Sequence, residues 1–369
     1  MIIELTDRFS LTPVLERLDR LGLQAQVVQW KGEPVLVVPG GEDRRDAILG
    51  TRGVAALHAV REPYQLASRA WQSDTTVVRV GDVEIGGPRS VVIAGPCSVE
   101  GREQLMAVAR HLAGLGVDLL RGGAYKPRTS PYSFQGLGTA GLRLLAEARR
   151  ETGLPVVTEV MEPGLVEEVA RFADMLQVGA RNMQNFPLLK AVGRSGLPVL
   201  LKRGPWASME TWLLAAEYVL AEGNDQVVLC ERGVASVDPQ ADRILDLAVV
   251  PRVQLASHLP VLVDPSHATQ DARLVRPMAR AALAAGAAGI MVEVHPDPSE
   301  ALSDGKQALT PDQFEMLMEE VQPLMALRRG RPVPSQRRWH GAAVRVGELG
   351  APGAPGGSNG EAVSYHASR

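Results

Sequence analysis

Aromatic side chains are scarce in this 369-residue chain: Trp, Tyr and Phe together make up 4% of it. The core must therefore be built from Val, Leu, Ile and Ala. Only two cysteines occur, Cys97 and Cys230, too few for a disulfide framework, and a cytoplasmic location follows as the expectation. No apolar run approaches the ~18 residues of a membrane helix, and no charged-then-apolar leader opens the chain, so neither membrane spanning nor secretion is expected. Charge of one sign is not in excess either. The net charge is -3 with 22% charged residues, which argues against nucleic acid or membrane as the main partner. Lysine is the last shortage: Lys31, Lys126, Lys190, Lys202 and Lys306 are the five lysines among 39 basic residues. A chain that prefers Arg so heavily but keeps Lys126 and Lys202 points to a compact, rotatable ammonium at those two positions.

Short apolar runs, by contrast, are plentiful. Eight recur through residues 91–294, and nearly every one ends in a residue able to hold an anion, a metal or a proton. Val91–Gly95 leads to Cys97, Val117–Leu120 to Arg121, Val156–Thr158 to Glu159 and Met175–Val178 to Arg181. Val199–Leu201 leads to Lys202, Val227–Cys230 to Arg232, Val261–Val263 to His267 and Gly289–Val292 to Glu293. This period predicts an α/β fold, a parallel (β/α)8 TIM barrel, in which all strand C-termini open on one face and catalytic residues converge there. The length suits one such barrel of about 250 residues with something smaller beside it.

The smaller part comes first. Met1–Leu5 reads as a strand, and Leu11, Val14, Leu15, Leu18 and Leu21 follow at helical spacing. Ala25–Trp30 and Pro34–Val38 read as strands joined by a turn at Lys31–Glu33, with Gly32 supplying the unusual backbone angles. A second helix over Asp43–Leu49 and a strand over Val54–Val60 complete a βαββαβ, ferredoxin-like order. The expected domains are 1–70 (this unit and a connector starting near Pro63), a barrel over 71–330, and a disordered tail over 331–369, where Arg, Pro, Gly and Ser dominate. A hairpin of Thr75–Val80 and Val83–Ile85 around Gly81-Asp82 stands just before the first barrel strand, where it could cap the closed end. Among the helices, Thr139–Thr152 stops at Gly153, Ser208–Ala221 carries one apolar face, and Thr310, Pro311 and Gln313 form a capping box for the last.

The densest chemistry lies in Arg121–Ser130, with three cations, two aliphatic hydroxyls and glycines that let a ligand approach the backbone. A solvated basic loop would look similar, but Arg181, Lys202 and Arg232 each close a different strand and so share the same mouth. Cations gathered this closely repel one another unless an anion is present, so at least two phosphates are expected among the ligands. Cys97, His267, Glu293 and Asp304 form a second group, a mixed S/N/O set suited to one divalent metal such as Mn, Fe, Co or Zn. Their spacing is not diagnostic. A lone cysteine is more often a buried inert thiol, which suits Cys230, whereas Gly95-Pro96 carries Cys97 beyond its strand. Glu159 reads as an orienting group for a cation, His295 as a neighbour of Glu293, and His58, His111, His258, His340 and His366 as structural or surface residues.

At these residues the chain resembles the 3-deoxy-D-arabino-heptulosonate 7-phosphate (DAHP) synthases, in the subtype with a small N-terminal ferredoxin-like domain. The resemblance covers roughly residues 1–328. It rests on Ala94–Glu100, Arg121–Ser130 running on to Gly138, Gly179–Asn182, Leu201–Gly204, Cys230–Gly233, Val263–His267 and Ser303–Lys306. It implies metal ligation by Cys97, His267, Glu293 and Asp304. It also implies a phosphoenolpyruvate site of Arg121, Lys126, Arg181 with the adjacent Ala180, Lys202 and Arg232, and an erythrose 4-phosphate site at Arg128 and Thr129. Lys126, His267 or a metal-bound water would manage the protons. The family relation further implies a homo-oligomer, a tetramer, and feedback inhibition by an aromatic amino acid at the N-terminal domain, for which an assembly or stability role is the other reading. Two other functions stay open: condensation with arabinose 5-phosphate, as in the 3-deoxy-octulosonate 8-phosphate synthases, and a catalytically dead amino-acid sensor.

Overall fold

The fold is taken from a computed structural model describing residues 1–238 and 241–327. The expected tail over 331–369, with His340 and His366, lies outside the described residues. The chain opens with β1 (Ile2–Leu5), α1 (Leu11–Arg20), β2 (Gln26–Trp30), β3 (Glu33–Val37), α2 (Arg45–Leu49) and β4 (Val54–His58). These four strands form one antiparallel sheet in the order β2-β3-β1-β4. Strand alternation gives the sheet two apolar faces. Ile3 packs with Val14, Leu18, Leu36 and Ile48 under the two helices. Its neighbour Ile2, with Val28, Trp30 and Val35, joins the larger core that also contains the barrel's helices. The β2–β3 turn uses left-handed backbone at both Lys31 (φ 51) and Gly32 (φ 86), not at the glycine alone.

A hairpin of β5 (Val78–Val80) and β6 (Val83–Ile85) leads into the barrel. Its strands are β7 (Val91–Gly95), β8 (Leu119–Arg121), β9 (Val156–Glu159), β10 (Met175–Val178), β11 (Val199–Lys202) and β12 (Val227–Glu231), then, after a small ladder of β13 (Val234–Ala235) and β14 (Arg243–Ile244), β15 (Val261–Val263) and β16 (Gly289–Glu293). The eight longer strands pair in parallel and close, with β16 bonded to β7. Around them run α3 (Arg102–Gly114), α4 (Thr139–Thr152), α5 (Val166–Ala170), α6 (Phe186–Arg194), α7 (Met209–Leu220), α8 (Val249–Ala256), α9 (Pro265–Thr269), α10 (Ala272–Ala284) and α11 (Pro311–Leu327).

Period-two alternation again sorts the core. Val91 and Ile93 point inward with Leu119, Val157, Leu200 and Met291, while Val92 and Ala94 face the helices. Val78, Val80 and Ile85 belong to the inward cluster, so the hairpin closes the barrel at the end where the strands begin. The capping box of α11 forms as read: Thr310 N donates to Gln313 Oε1 (3.0 Å) and Gln313 N to Thr310 Oγ1 (3.3 Å). No helix among the described residues is long and apolar enough to cross a membrane.

Candidate active site

The loops that follow the barrel strands enclose a cavity of about 720 Å³. Cys97 reaches it because β7 ends in glycine. Gly95 has φ +149, and a Cβ there would lie 2.0 Å from the Arg121 carbonyl oxygen of β8. Only glycine lets the two strand ends touch and still turn Cys97 over the mouth. Lys126 is buried beside it, its Nζ donating to the Cys97 sulfur (2.9 Å) and carbonyl (3.2 Å). The thiol in turn donates to Asp304 Oδ2 (2.9 Å), from a residue held in left-handed backbone at φ 51.

His267 arrives on α9, whose start is set by Asp264 and Pro265. Asp264 Oδ1 accepts from the His267 backbone N–H (3.0 Å), and its Oδ2 lies 2.8 Å from His267 Nδ1 and 2.6 Å from Lys202 Nζ. One buried carboxylate therefore meets both side chains: it accepts a hydrogen bond from Lys202, while its contact with the His267 ring lacks hydrogen-bond geometry. The outcome is a trio: donor atoms of Cys97, His267 and Asp304 all lie within 4.8 Å of one another. Glu293, the fourth residue implied as a ligand, stands one step behind. Its Oε1 is 3.1 Å from Arg121 Nη1 and 3.2 Å from His267 Nε2, and its Oε2 accepts from Gln307 (2.6 Å). Neither contact at Oε1 has hydrogen-bond geometry, so this fully buried oxygen has no hydrogen-bond partner among the described residues.

Electrostatics follow from burial. Burial pushes the Cys97 thiol up to about 12, reinforced by Glu293 and only partly offset by Lys126 and Arg121. The protein alone therefore holds it as a thiol, and a metal must displace its proton to bind there. Burial lowers His267 to about 4 against the pull of Asp264 and Glu293, so the imidazole is neutral near pH 7. Burial opposes charge on Asp264, yet His267, Lys202 and Arg121 hold its carboxyl well below the usual range. Lys126, despite burial, is raised by Cys97, Glu293 and Glu159, and stays an ammonium. A neutral imidazole, a displaceable thiol and two carboxylates within reach form a donor set that fits a borderline divalent ion. A buried carboxylate oxygen without a hydrogen bond, 3.2 Å from a neutral imidazole nitrogen, is unfavourable until a cation relieves it.

Arg121, Lys126, Arg128, Thr129, Ala180, Arg181, Lys202 and Arg232 all line the same cavity. They are not equivalent. Arg121 is paired with Glu293 and Lys202 with Asp264, whereas Arg232 is 8% exposed and its Nε has no hydrogen-bond partner among the described residues. Among the described residues Arg181 reaches only the Pro127 carbonyl, at 3.4 Å. Other candidates fall away from the chemistry. Cys230 is inside the barrel core, and His295 pairs with Glu100 at 3.2 Å. Glu159 lines the cavity but accepts from Gln177 (3.0 Å) and pairs with no cation among the described residues. His58 faces Glu4, and His258 is buried between Thr76 (2.7 Å) and the Leu66 carbonyl (2.7 Å).

Three residues here carried no signal in the sequence reading: Asp264, Gln307 and Arg243. Asp264 sits in the Val263–His267 segment, where an acidic N-cap before proline and three residues before the histidine could have marked it. Gln307 ends a short 3-10 turn and Arg243 opens β14, and neither has such spacing.

A closed parallel barrel with a cation-lined mouth and a Cys/His/Asp donor cluster defines a (β/α)8 enzyme that acts on small anions. The chain belongs to the DAHP synthetase I family, whose profile matches residues 68–327. A Thermotoga maritima protein, phospho-2-dehydro-3-deoxyheptonate aldolase, is 51% identical over 271 residues, 73% of this chain and 80% of that protein. The crystal structure of phospho-2-dehydro-3-deoxyheptonate aldolase (DAHP synthase) from Thermotoga maritima superposes with a TM-score of 0.72 at 44% identity, covering 89% of this chain and 97% of that one. A 2-dehydro-3-deoxyphosphooctonate aldolase from Magnetococcus marinus is more distant, 35% identical over 256 residues, 64% of this chain and 88% of that protein.

Proposed function

We propose that this chain condenses phosphoenolpyruvate with erythrose 4-phosphate, forming 3-deoxy-D-arabino-heptulosonate 7-phosphate and inorganic phosphate, the first step of the shikimate pathway. One observation carries the reading: the donor trio of Cys97, His267 and Asp304 shares a cavity with Lys126 and with the guanidiniums of Arg181 and Arg232, which have no carboxylate partner among the described residues. A divalent ion held by that trio, with Glu293 beside it, would act as a Lewis acid on the aldehyde oxygen of the sugar. The remaining work falls to side chains. Arg121, Lys126, Arg181, Lys202 and Arg232 hold phosphoenolpyruvate, and Arg128 and Thr129 hold the sugar phosphate, so that the enol carbon faces the aldehyde. Attack forms the new carbon–carbon bond and leaves positive charge on the second carbon of phosphoenolpyruvate. Water adds there, losing a proton, and the hemiketal phosphate breaks its C–O bond to give the keto group and phosphate. Lys126, an ammonium against the Cys97 sulfur, is placed to deliver a proton at Nζ to the oxygen that was the aldehyde.

Phosphate release with both substrates tests this, with arabinose 5-phosphate in a parallel assay. Turnover with erythrose 4-phosphate and none with arabinose 5-phosphate is expected. The opposite preference would make it an octulosonate-type enzyme, and no turnover with either sugar would leave the sensor reading. A cytoplasmic location rests on Cys97 and Cys230 both being free thiols. Regulation by an aromatic amino acid through residues 1–70 rests on the separate small core of that module, and the phosphate assay repeated with Tyr, Phe and Trp tests it. Assembly as a homo-oligomer, a tetramer by family relation, is tested by light scattering.

A further inference from the structure

Arg243 lines the cavity although nothing in the sequence marked it. It stands on β14, paired with Ala235 of β13, and a second glycine brings it there. Gly233 has φ +90, and a Cβ on it would lie 2.9 Å from Ala268 Cα and 3.2 Å from Arg243 Cβ. Glycine thus lets the ladder close down on α9, the helix that carries His267. Arg243 Nη1 donates to the His267 carbonyl at 3.2 Å, which leaves most of the guanidinium's donors for another acceptor.

The cations around this cavity divide into two sets. Arg121, Lys126, Arg128 and Lys202 each have a carboxylate within 4.0 Å. Arg181, Arg232 and Arg243 have none among the described residues. Lys306 has none either, but it follows Asp304 closely in the chain, whereas Arg243 is seated on the His267 carbonyl in the same cavity as Arg181 and Arg232. Three guanidiniums that repel one another, one of them buried with an unpartnered Nε, are an arrangement that a multivalent anion stabilises.

We infer that Arg243 is a third guanidinium of the phosphate subsite, joining Arg181 and Arg232 in gripping the phosphate of phosphoenolpyruvate. The inference rests on the condensation reading above and adds a residue to it. A phosphate dianion has enough acceptor lone pairs for three forks, and the same charges stabilise it as it leaves.

Arg243→Gln tests it, because the amide can still donate to the His267 carbonyl but carries no charge. The readouts are KM for each substrate, inhibition by inorganic phosphate against phosphoenolpyruvate, calorimetric binding of phosphoenolpyruvate, and bound metal. KM for phosphoenolpyruvate and the inhibition constant of phosphate should each rise about tenfold or more, with KM for erythrose 4-phosphate within about twofold and metal content unchanged. Phosphoenolpyruvate and phosphate affinities within about twofold of the parent would overturn the assignment. So would a loss confined to erythrose 4-phosphate, or metal loss in parallel, which would mark Arg243 as a prop for His267. If the glutamine variant does not fold, Arg243→Lys decides, since it loses the fork: a rise of about threefold or more in KM for phosphoenolpyruvate alone supports the grip, and no change opposes it. A parent enzyme that binds phosphoenolpyruvate yet releases no phosphate would refute the condensation reading, while the binding comparison would still decide Arg243.

Discussion

Cys97 and Cys230 show how little a residue type says without its neighbours. Both are buried, and burial pushes both thiols up to about 12. Cys97 has Lys126 and Asp304 against its sulfur; Cys230 sits in the apolar barrel interior. Cys97→Ala should therefore abolish tight metal binding, whereas Cys230→Ala should keep metal and turnover and cost about 1 kcal/mol of stability as a small cavity. Metal analysis with urea unfolding of both variants checks this, and equal metal loss in the two would contradict it. Asp264→Asn is predicted to weaken metal binding by about 10–100-fold, because His267 loses the carboxylate charge 2.8 Å from its Nδ1. A metal titration against a chelating dye measures it, and unchanged affinity would mean that Asp264 serves Lys202 alone. His258 gives a pH signature away from the metal. Burial, then the charges of Arg69 and Lys31, lower it to about 4 from 6.5. Its folded form resists a proton that the unfolded chain accepts, so its contribution is present above pH 6.5 and is lost as pH falls towards 4, by about 3 kcal/mol in all. Glu217, which accepts from Ala67 N (2.6 Å), runs the other way: burial raises it to about 7, so protonation below that favours the fold. Urea unfolding at pH 7 and pH 4.5 should show a shallower acid loss in His258→Gln and a steeper one in Glu217→Gln; identical slopes in the two variants would refute the opposition.

Elements were legible where a local rule sufficed. The α11 capping box, the Gly153 stop of α4 and the hairpin ahead of β7 all follow from side chains a few positions apart. Thr310→Ala should remove a cap worth about 1 kcal/mol, lowering the melting temperature while leaving kcat and KM unchanged, because α11 packs outside the barrel away from the mouth. A change in KM without a change in stability would show that α11 also shapes the site. Legibility stopped where an element depended on distant chain. Expected at Val117–Leu120, β8 is observed at Leu119–Arg121, so Arg121 is part of the ladder, paired with Val157. The left-handed angle at Lys31 was likewise hidden, since a lysine carries no local mark of it. The β13–β14 ladder was missed for the same reason: two residues on each side form it, and what holds Arg243 in place is Gly233 against Ala268.

At the scale of the whole molecule, two layers of apolar residues close the barrel while the N-terminal sheet lends one face to the outer layer. Chelation should abolish phosphate release and leave the far-ultraviolet circular dichroism unchanged, because Lys126, Arg121 and Lys202 keep their protein partners when no metal is bound. Turnover that survives chelation would exclude the Lewis-acid role. The sequence by itself determined the barrel, the βαββαβ order of the first module and the side chains that meet at the mouth. Strand alternation and strand-end chemistry are properties of neighbouring residues, so they can be read in one dimension. Only the tertiary structure decided which cations already have a counter-charge and which do not. It set Glu293 behind the trio of Cys97, His267 and Asp304, assigned Asp264 to both Lys202 and His267, and left Arg181, Arg232 and Arg243 without carboxylates among the described residues. Pairing of that kind depends on distances of a few ångströms between residues tens to hundreds of positions apart, and chain spacing carries no information about them.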